Sequence, residues 1–267
     1  MTAIVPATLQ AIRERIWFYE FELPDGSRTR CDLPEEMRPI HSTRQRQLLR
    51  VIEERIRNPA SKSALDFASH EGFFSFEMAK HFGFVRGLEF RSESLAAARL
   101  MAGALGITNV EFQAADLQHM SFDERLCADF VLVYGLIYHL ENPIHALRLA
   151  SQLCRGHILI ETQVLPYDIT GRVESARYDH HRPVNGVFAL VPDSPASREG
   201  GSTHFALVPS LNTLLHLLRS FDFKHVEVLA PQKDDYEQYQ RGSRVIVYGR
   251  RVPPTSHLDG PLELRHN

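Results

Sequence analysis

The feature that most constrains this chain is a strand–turn–helix–strand pattern over residues 63–89. The apolar residues around Asp66 predict a buried strand, and Phe74, Met78 and Phe82, spaced four apart, predict one face of a helix. A second short strand ends on Glu89. In such a βαβ unit a turn of small residues lets the backbone approach a ligand, and an acid ending the second strand accepts hydrogen bonds from ribose.

The turn between the first strand and the helix narrows the class of nucleotide. A dinucleotide-binding turn needs the pattern G-x-G-x-x-G, whereas only Gly72 is a glycine here. No Gly-Lys-Ser/Thr follows, so a phosphate-binding P-loop is absent too. An NAD-dependent oxidoreductase is therefore disfavoured. A generic α/β turn stays open as an alternative at this point.

Composition and charge exclude several classes of partner. The 267 residues carry a formal net charge of −3, which provides no overall field to gather nucleic acid or an anionic membrane. The first residues have no basic stretch followed by an apolar run, so we expect no signal peptide, and no window approaches eighteen consecutive apolar residues. Cys31, Cys127 and Cys154 are widely spaced, as expected for reduced thiols in a cytoplasmic protein. We expect no membrane partner.

Patterning divides the chain into an extension, a main domain and a tail. Residues 1–60 predict a helix, a hairpin with one strand at 19–23, and a second helix that ends before residue 58. The main domain spans 61–251, with an irregular segment at 163–207 that we expect to cover the site as a lid. Residues 252–267 are a tail without periodicity. The arginines of the second helix predict a solvated face, or alternatively an RNA-facing patch: Arg44, Arg46, Arg50, Arg55 and Arg57.

Further strands and acids follow in the middle of the chain. A third strand leads into Asp116, and a nearly all-apolar fourth strand over 128–134 indicates a central position in a sheet. The sequence G-L-I-Y-H-L-E-N-P comes directly after it, at 135–143. A helix and a fifth strand ending near Glu161 complete the run.

Taken together, these motifs resemble those of class I S-adenosylmethionine (SAM) methyltransferases. Residues 66–72 align with the D-x-G-x-G-x-G motif, with Ala68 and His70 replacing two glycines. The similarity is greatest to bacterial wobble-uridine tRNA methyl- and carboxymethyltransferases and to related small-molecule methyltransferases. The resemblance implies an α/β, Rossmann-like, seven-stranded and mostly parallel sheet with an antiparallel last strand. To this core the chain adds an N-terminal α+β extension and a lid insertion.

The resemblance also implies the cofactor, SAM, and the residues that hold it. Glu89 is expected at the ribose hydroxyls, Asp116 at the adenine amino group, and Tyr134 and Tyr138 at the methionine end. The full expected set is Asp66, Ala68, Ser69, His70, Gly72, Glu89, Phe90, Asp116, Leu117, Tyr134 and Tyr138.

His139 is the candidate catalytic base, because it follows the fourth strand directly and a base helps to deprotonate a hydroxyl acceptor. A structural histidine at a helix start is the alternative. The lid offers candidate substrate contacts: Tyr178, His180, His181 and His204. His180 and His181 have no third ligand at a helical or hairpin spacing, so no metal site is expected.

The sequence thus predicts an enzyme that transfers a methyl group from SAM to a small-molecule acceptor, such as a sugar or natural-product hydroxyl. A tRNA wobble-uridine transferase is one alternative, and a non-catalytic nucleoside-binding or interaction protein is another. The tRNA group uses a carboxylated SAM held partly by Lys and Trp residues upstream of the first motif. Here that region has no Trp, and its only Lys is Lys62. Because a buried carboxylate needs a fixed cation, we expect ordinary SAM in a pocket framed by Tyr134 and Tyr138.

Overall fold

The structure is a computed structural model that describes residues 6–175, 178–196 and 200–251, with the side chains of 6–8, 175 and 178–181 left out. The helices are α1 (Pro6–Glu14), α2 (Arg38–Arg55), α3 (Phe73–Ala79), α4 (Ser92–Leu105), α5 (Pro143–Leu153), α6 (Leu211–Ser220) and α7 (Glu237–Gln240). The strands are β1 (Ile16–Trp17), β2 (Arg30–Cys31), β3 (Ser63–Phe67), β4 (Phe84–Glu89), β5 (Val110–Ala114), β6 (Ala128–Tyr134), β7 (Cys154–Gln163), β8 (Thr170–Ser175), β9 (Tyr178–Asn185), β10 (Phe188–Pro192), β11 (Phe205–Pro209), β12 (His225–Val228) and β13 (Arg244–Arg250).

A seven-stranded sheet in the order β12-β13-β7-β6-β3-β4-β5 forms the centre of the fold. Strands β3 to β7 pair in parallel, whereas β13 pairs antiparallel with both β7 and β12. This confirms the predicted Rossmann-like, seven-stranded and mostly parallel sheet, including its antiparallel last strand. The switch in strand order between β3 and β6 leaves a crevice at their carboxyl ends, where ligands of open α/β sheets bind.

Strand β6 shows why the sheet is covered on both faces. Phe130 and Leu132 belong to a hydrophobic cluster shared with α2, α3 and α4. Val131 and Val133 belong to a second cluster shared with α5 and α6. Successive side chains of a strand point to opposite faces, so an all-apolar strand needs helices on both sides. The predicted central position of this strand is correct.

The N-terminal segment packs into the first of these clusters and keeps the predicted hairpin only around its turn. There an isolated antiparallel bridge joins Glu22 to Arg28, and the Thr29 N–H donates to the Phe21 carbonyl at 2.9 Å. Before the turn, β1 pairs in parallel with β2 over two residues. Tyr19 is buried without a strand ladder because the Glu71 carboxylate accepts the backbone N–H groups of Phe18, at 2.8 Å, and Tyr19, at 3.4 Å. A side chain thus replaces the strand partner that the alternating pattern suggested. The sole tryptophan, Trp17, is fully buried here.

Helix α2 corrects the predicted position of one arginine. Leu48 and Ile52 are buried as the periodicity predicts, but Arg44 lies on the same face, one turn earlier, and is only 6% exposed. The expected solvated face therefore holds for Arg55 and not for Arg44. Arg44 instead extends toward β7, where a carboxylate lies 117 residues away in sequence.

The segment at 163–207 contains two antiparallel pairs, β8 with β9 and β10 with β11. It returns to the connection between β6 and α5, where the Leu207 N–H donates to the Leu140 carbonyl at 2.9 Å. The predicted tail at 252–267 lies outside the described residues. Within the described ranges, no helix has both the length and the apolar composition needed to cross a membrane.

Candidate active site

A cleft that is partly open to solvent lies at the carboxyl ends of β3 to β6. One wall is formed by residues that follow these strands, including His70, Glu89 and Asp116. The facing wall comes from the N-terminal segment and the lid, through Tyr19 and Gly201 among others. Three parts of the chain that are distant in sequence therefore meet around one space.

The loop between β3 and α3 keeps a glycine-type backbone without the glycines. Ala68, His70 and Gly72 have φ angles of 57°, 51° and 86°, all in the left-handed region. These are the three positions at which the D-x-G-x-G-x-G motif has glycine. L-residues avoid this region because Cβ crowds the following carbonyl. The loop therefore has the shape that the motif provides, held here by its surroundings.

Glu89 is one of the groups that hold this loop. Its Oε2 accepts the His70 N–H and its Oε1 accepts the Arg91 N–H, both at 2.8 Å. Burial raises the pKa of Glu89, although these hydrogen bonds oppose the rise. Each carboxylate oxygen has a further lone pair, so Glu89 can accept hydrogen bonds from a ligand at the edge of the cleft.

Asp66 lies behind the loop and does not line the cleft. It is 3% exposed, and its Oδ2 accepts the Ser75 hydroxyl proton at 2.6 Å. Burial raises the pKa of Asp66 to about 7, and the nearby charge of Glu89 adds to the rise. Asp66 is therefore a buried support for the loop, together with Ser69 and Gly72, which also lie outside the cleft lining.

The other end of the cleft has the acid and the apolar residues that an adenine ring requires. Asp116 lies on the cleft, where its Oδ1 accepts the Gln118 N–H at 3.0 Å and its Oδ2 lies 2.9 Å from His119 Nδ1. Leu117 and the exposed Phe90 ring lie beside it. An acceptor oxygen flanked by apolar surface suits an exocyclic amine on a flat ring.

His139 lies on the cleft and is bonded to the lid. Its Nδ1 is 3.0 Å from Asp193 Oδ2, which also accepts the Gly201 N–H at 2.9 Å. Burial works against ionisation of Asp193, but hydrogen bonds from Gly201, Ser194 and His139 lower its pKa. An ionised carboxylate on Nδ1 fixes the proton there and leaves the basic lone pair on Nε2. Sequence reasoning missed Asp193, because it lies 54 residues from His139 in an irregular segment.

Two further contacts attach the lid to the cofactor side of the cleft. The Arg91 side chain donates to the Gly200 carbonyl, and Gln118 Nε2 donates to Ser202 Oγ at 2.9 Å. Arg91 and Gln118 follow β4 and β5 closely. The lid is therefore bonded both to the candidate base and to the residues that flank the candidate nucleoside site.

A buried charged cluster closes the remaining side, and it corrects the expectation that only uncharged tyrosines frame the pocket. Glu161, on β7, is fully buried and accepts from Arg44 Nη2 at 2.5 Å and from Arg244 Nη1 at 2.9 Å. Burial opposes its ionisation, but the two arginines lower the pKa of Glu161. Both arginines line the cleft beside Tyr138. Glu161 lies within an otherwise apolar stretch of strand β7. Because a buried carboxylate needs a cationic partner, this position was the sequence signal for the arginines.

The structure brings most of the predicted site residues together on the cleft: Ala68, His70, Glu89, Phe90, Asp116, Leu117, Tyr134, Tyr138 and His139. His204 is exposed and does not line it. The side chains of Tyr178, His180 and His181 lie outside the described residues. In the described part of the chain no three potential metal ligands come together.

These features fit S-adenosylmethionine. The loop has left-handed backbone angles at three positions, and the carboxylates of Glu89 and Asp116 both line the cleft, where carboxylate oxygens can accept hydrogen bonds from hydroxyl and amino groups. Tyr134 and Tyr138 line the same cleft, and the centroid of the Tyr138 ring lies 4.3 Å from that of His139. The fold and this site together define a class I methyltransferase architecture with a nucleoside-type cofactor site.

Comparison with known proteins agrees with this fold and this site. Residues 59–189, just under half of the chain, match the family model of a methyltransferase domain. The N-terminal domain of EvdMO1, solved with S-adenosylhomocysteine (SAH) and D-fucose, superposes with a TM-score of 0.66 at 22% identity, over 91% of this chain and 94% of that one. A SAM-dependent methyltransferase from Mesorhizobium loti superposes with a TM-score of 0.56 at 19% identity, over 79% of this chain and 100% of that one.

Two curated relatives are similar in sequence. A tRNA U34 carboxymethyltransferase of Desulfotalea psychrophila is 27% identical over 181 residues, which cover 66% of this chain and 50% of the relative. A ubiquinone biosynthesis O-methyltransferase of Acinetobacter baumannii is 25% identical over 133 residues, covering 49% of this chain and 56% of the relative. The chain thus spans about half the length of these relatives.

Proposed function

We propose that this protein transfers the methyl group of SAM to a hydroxyl of a small molecule, such as a sugar or a natural product. The observation that carries the proposal is the pairing of His139 Nδ1 with Asp193 on the wall of the cleft. A hydroxyl acceptor needs a base at its proton, and a histidine oriented by a carboxylate is such a base. A purely structural histidine would not need an ionised partner supplied by the lid.

The chain's residues have separate roles in this proposal. When bound, SAM supplies a methyl group on a positively charged sulfur: the acceptor oxygen forms the new C–O bond, and the electrons of the broken S–CH3 bond stay on sulfur. His139 takes the hydroxyl proton on Nε2, while Asp193 keeps the other proton on Nδ1 and stabilises the imidazolium. Glu89 and Asp116 hold the ribose and adenine. The lid excludes water and aligns the reactants, which is the main catalytic requirement.

The comparisons support a small acceptor without defining it. The EvdMO1 domain was solved with the sugar D-fucose, and the Acinetobacter relative is named as an O-methyltransferase. The lid is also bonded to Arg91 and Gln118, which reduces access to the cleft from the β4 and β5 side. The three cysteines are free thiols, which supports a cytoplasmic location.

Replacement of His139 by Asn tests the role of the base. The purified protein is incubated with SAM and a metabolite extract, and methylated products are detected by mass spectrometry. We expect His139→Asn to lower turnover by about 10²–10⁴-fold, with SAH affinity unchanged by calorimetry. Asp193→Asn should lower turnover in the same direction.

His225→Asn is the matched control, because His225 lies exposed on the edge strand β12 and should leave turnover unchanged. Full turnover in His139→Asn would contradict a hydroxyl acceptor that needs this base.

A second candidate is a carboxymethyl transfer to wobble uridine in tRNA. Two observations favour it: the similarity to the Desulfotalea enzyme, and the buried cations Arg44 and Arg244 on the cleft, which could meet a carboxylated cofactor. Direct competition between SAM and its carboxylated form decides between the candidates. Tighter binding of SAM, with no modified uridine in treated tRNA, is the outcome expected from our proposal. A non-catalytic nucleoside-binding protein would bind SAM and yield no product from either source.

A further inference from the structure

The cluster around Glu161 contains more positive than negative charge. Arg44 and Arg244 are 6% and 7% exposed, and Glu161 is the one carboxylate bonded to either guanidinium among the described residues. Its oxygens also accept the Tyr239 hydroxyl at 2.9 Å and the Gly135 N–H at 3.1 Å. Each Glu161 oxygen therefore accepts two hydrogen bonds, and its single negative charge balances only one of the two arginines. One positive charge remains uncompensated at the edge of the cleft.

The Arg44 side chain also has unused hydrogen-bonding capacity. Its Nε is buried and has no hydrogen-bond partner within the described residues. His41, which lines the same side of the cleft, adds no charge, because burial and the nearby Arg44 hold its pKa well below the usual range. A net buried charge with an unused donor is costly for a protein alone, and an anionic ligand relieves that cost.

The cations lie next to the candidate base. The Arg244 guanidinium stacks over the Tyr138 ring, with Cζ 4.9 Å from the centroid, and donates to the Tyr138 hydroxyl at 3.2 Å. The Tyr138 and His139 rings are 4.3 Å apart. A molecule of monosaccharide size can therefore place an anionic group at Arg244 and a hydroxyl at His139.

The position of the arginines in the chain favours the acceptor over the cofactor as the source of the anion. The residues proposed to hold the nucleoside, including Glu89 and Asp116, lie within 59–189, the part that matches the methyltransferase domain model. Arg44 comes from α2, in the N-terminal extension, and Arg244 begins β13, the last strand of the central sheet, so both lie outside that part. Acceptor recognition is expected outside the residues that hold the cofactor, above all in an element added to the shared fold, such as α2.

We propose that Arg44 and Arg244 form an anion subsite that binds a carboxylate of the acceptor, so that the substrate is a hydroxy acid such as a uronic acid. One net positive charge matches one carboxylate, whereas a phosphate monoester would bring about −1.5 to −2. The inference rests on the proposed function, because it names the class of hydroxyl acceptor.

Calorimetry on the full chain saturated with SAH tests the subsite with sugars that differ only at C6. D-galacturonate has a carboxylate there, D-galactose a hydroxymethyl and D-fucose a methyl group. A second pair is 3-hydroxybenzoate and 3-hydroxybenzyl alcohol. We expect at least one of the two acids to bind tenfold or more tightly than its neutral partners. Equal affinities in both sets, including no binding at all, overturn the proposal.

Arg44→Gln and Arg244→Gln should each remove that preference, because each leaves one arginine in a neutral pair with Glu161. Arg250→Gln is the matched control on the same strand, where Arg250 is exposed, and it should keep the preference. Thermal unfolding of each variant checks that it is folded. The comparison of ligands on the unmodified protein stands even if a variant fails to fold.

Two cofactor measurements exclude the other sources of a carboxylate. If Arg244→Gln weakens SAH but not 5′-methylthioadenosine, which lacks the methionine carboxylate, the arginines hold the cofactor and the proposal is wrong. Tighter binding of carboxylated SAM than of SAM, lost in Arg244→Gln, also overturns it. Failure of the proposed function would be seen separately, as unchanged turnover in His139→Asn while the preference for acids remains.

Discussion

In the loop between β3 and α3, Ala68 and His70 adopt a backbone conformation that residues with a side chain disfavour. Ala68 has a φ of 57°, and the left-handed region costs an L-residue about 1–2 kcal/mol relative to the right-handed one. We therefore predict that Ala68→Gly raises the free energy of unfolding by roughly 1 kcal/mol in urea denaturation. The loop backbone should not need to move.

Ala102→Gly, in the interior of α4, is the control for this prediction. Its expected effect is opposite in sign, a loss of about 0.5–1 kcal/mol, because glycine weakens a helix interior. Equal losses in both variants would show that the left-handed angle at Ala68 stores no strain.

Asp66 makes stability depend on pH in a defined direction. Its pKa is about 7 in the folded protein and 3.8 in an unfolded chain, so the folded state retains a proton that the unfolded state has already lost. The free energy of unfolding therefore falls as pH rises between about 4 and 7. Above that window Asp66 is ionised in both states and the full destabilisation persists.

Asp66→Asn removes this contribution. We predict that Asp66→Asn is more stable than the unmodified protein at both pH 5 and pH 8. The gain at pH 8 should be a few kcal/mol, as expected from the raised pKa of Asp66. Chemical denaturation at both pH values measures the difference. Parallel pH profiles for the two proteins would show that Asp66 titrates normally.

At the scale of the elements, the N-terminal segment is hydrogen-bonded to Glu71 in the loop between β3 and α3. Glu71 is fully buried and accepts the N–H groups of Phe18 and Tyr19. We predict that Glu71→Ala lowers the free energy of unfolding by about 1.5–3 kcal/mol, because buried donors lose a charged acceptor. Hydrogen exchange at these two amides should accelerate most.

Glu237→Ala serves as the comparison variant. Glu237 is exposed and pairs with Arg241, the residue directly after α7, so its loss should change stability by less than about 0.5 kcal/mol. Unchanged exchange at Phe18 and Tyr19 in Glu71→Ala would mean that the segment is held by apolar packing alone.

The contrast between elements shows what the sequence could predict. β3, α3, β4 and β6 follow from local periodicity, since apolar spacing alone decides whether a segment suits a strand or a helix. The acids on the cleft also follow, because parallel strands end at one edge. Two pairs could not be predicted in this way: Arg44 with Glu161, and His139 with Asp193. Each pair joins elements that are distant in sequence, and a local pattern does not say how such elements are arranged in space. The hairpin at 19–31 is found only around its turn, because Glu71 and not a strand accepts the backbone N–H groups of Phe18 and Tyr19.

For the whole molecule, the N-terminal extension is part of one core rather than an appendage. Five apolar side chains of residues 16–37 are at least 92% buried: Trp17, Tyr19, Phe21, Leu23 and Leu33. Each contributes about 1.5–3 kcal/mol on burial, and together they approach the total stability of a domain, about 5–15 kcal/mol. We predict that a chain lacking residues 1–37 has no cooperative thermal transition and does not bind SAH.

Deletion of residues 252–267 is the control for the truncation. The sequence there has no periodicity to place it in a core, so we expect an unchanged melting temperature and SAH affinity. Normal SAH binding by the shorter chain would show that the methyltransferase domain folds without its extension.

Trp17 gives this architecture a built-in optical reporter. It is the only tryptophan in the chain, it is fully buried, and its Nε1–H donates to the Ile12 carbonyl at 2.8 Å. All tryptophan fluorescence therefore originates from the N-terminal segment, which forms the wall of the cleft through the neighbouring Phe18 and Tyr19. A shift of that emission to longer wavelength, while near-ultraviolet signals from the tyrosines persist, would register detachment of this wall before the sheet unfolds. The protein thus needs no attached dye for its two parts to be followed separately.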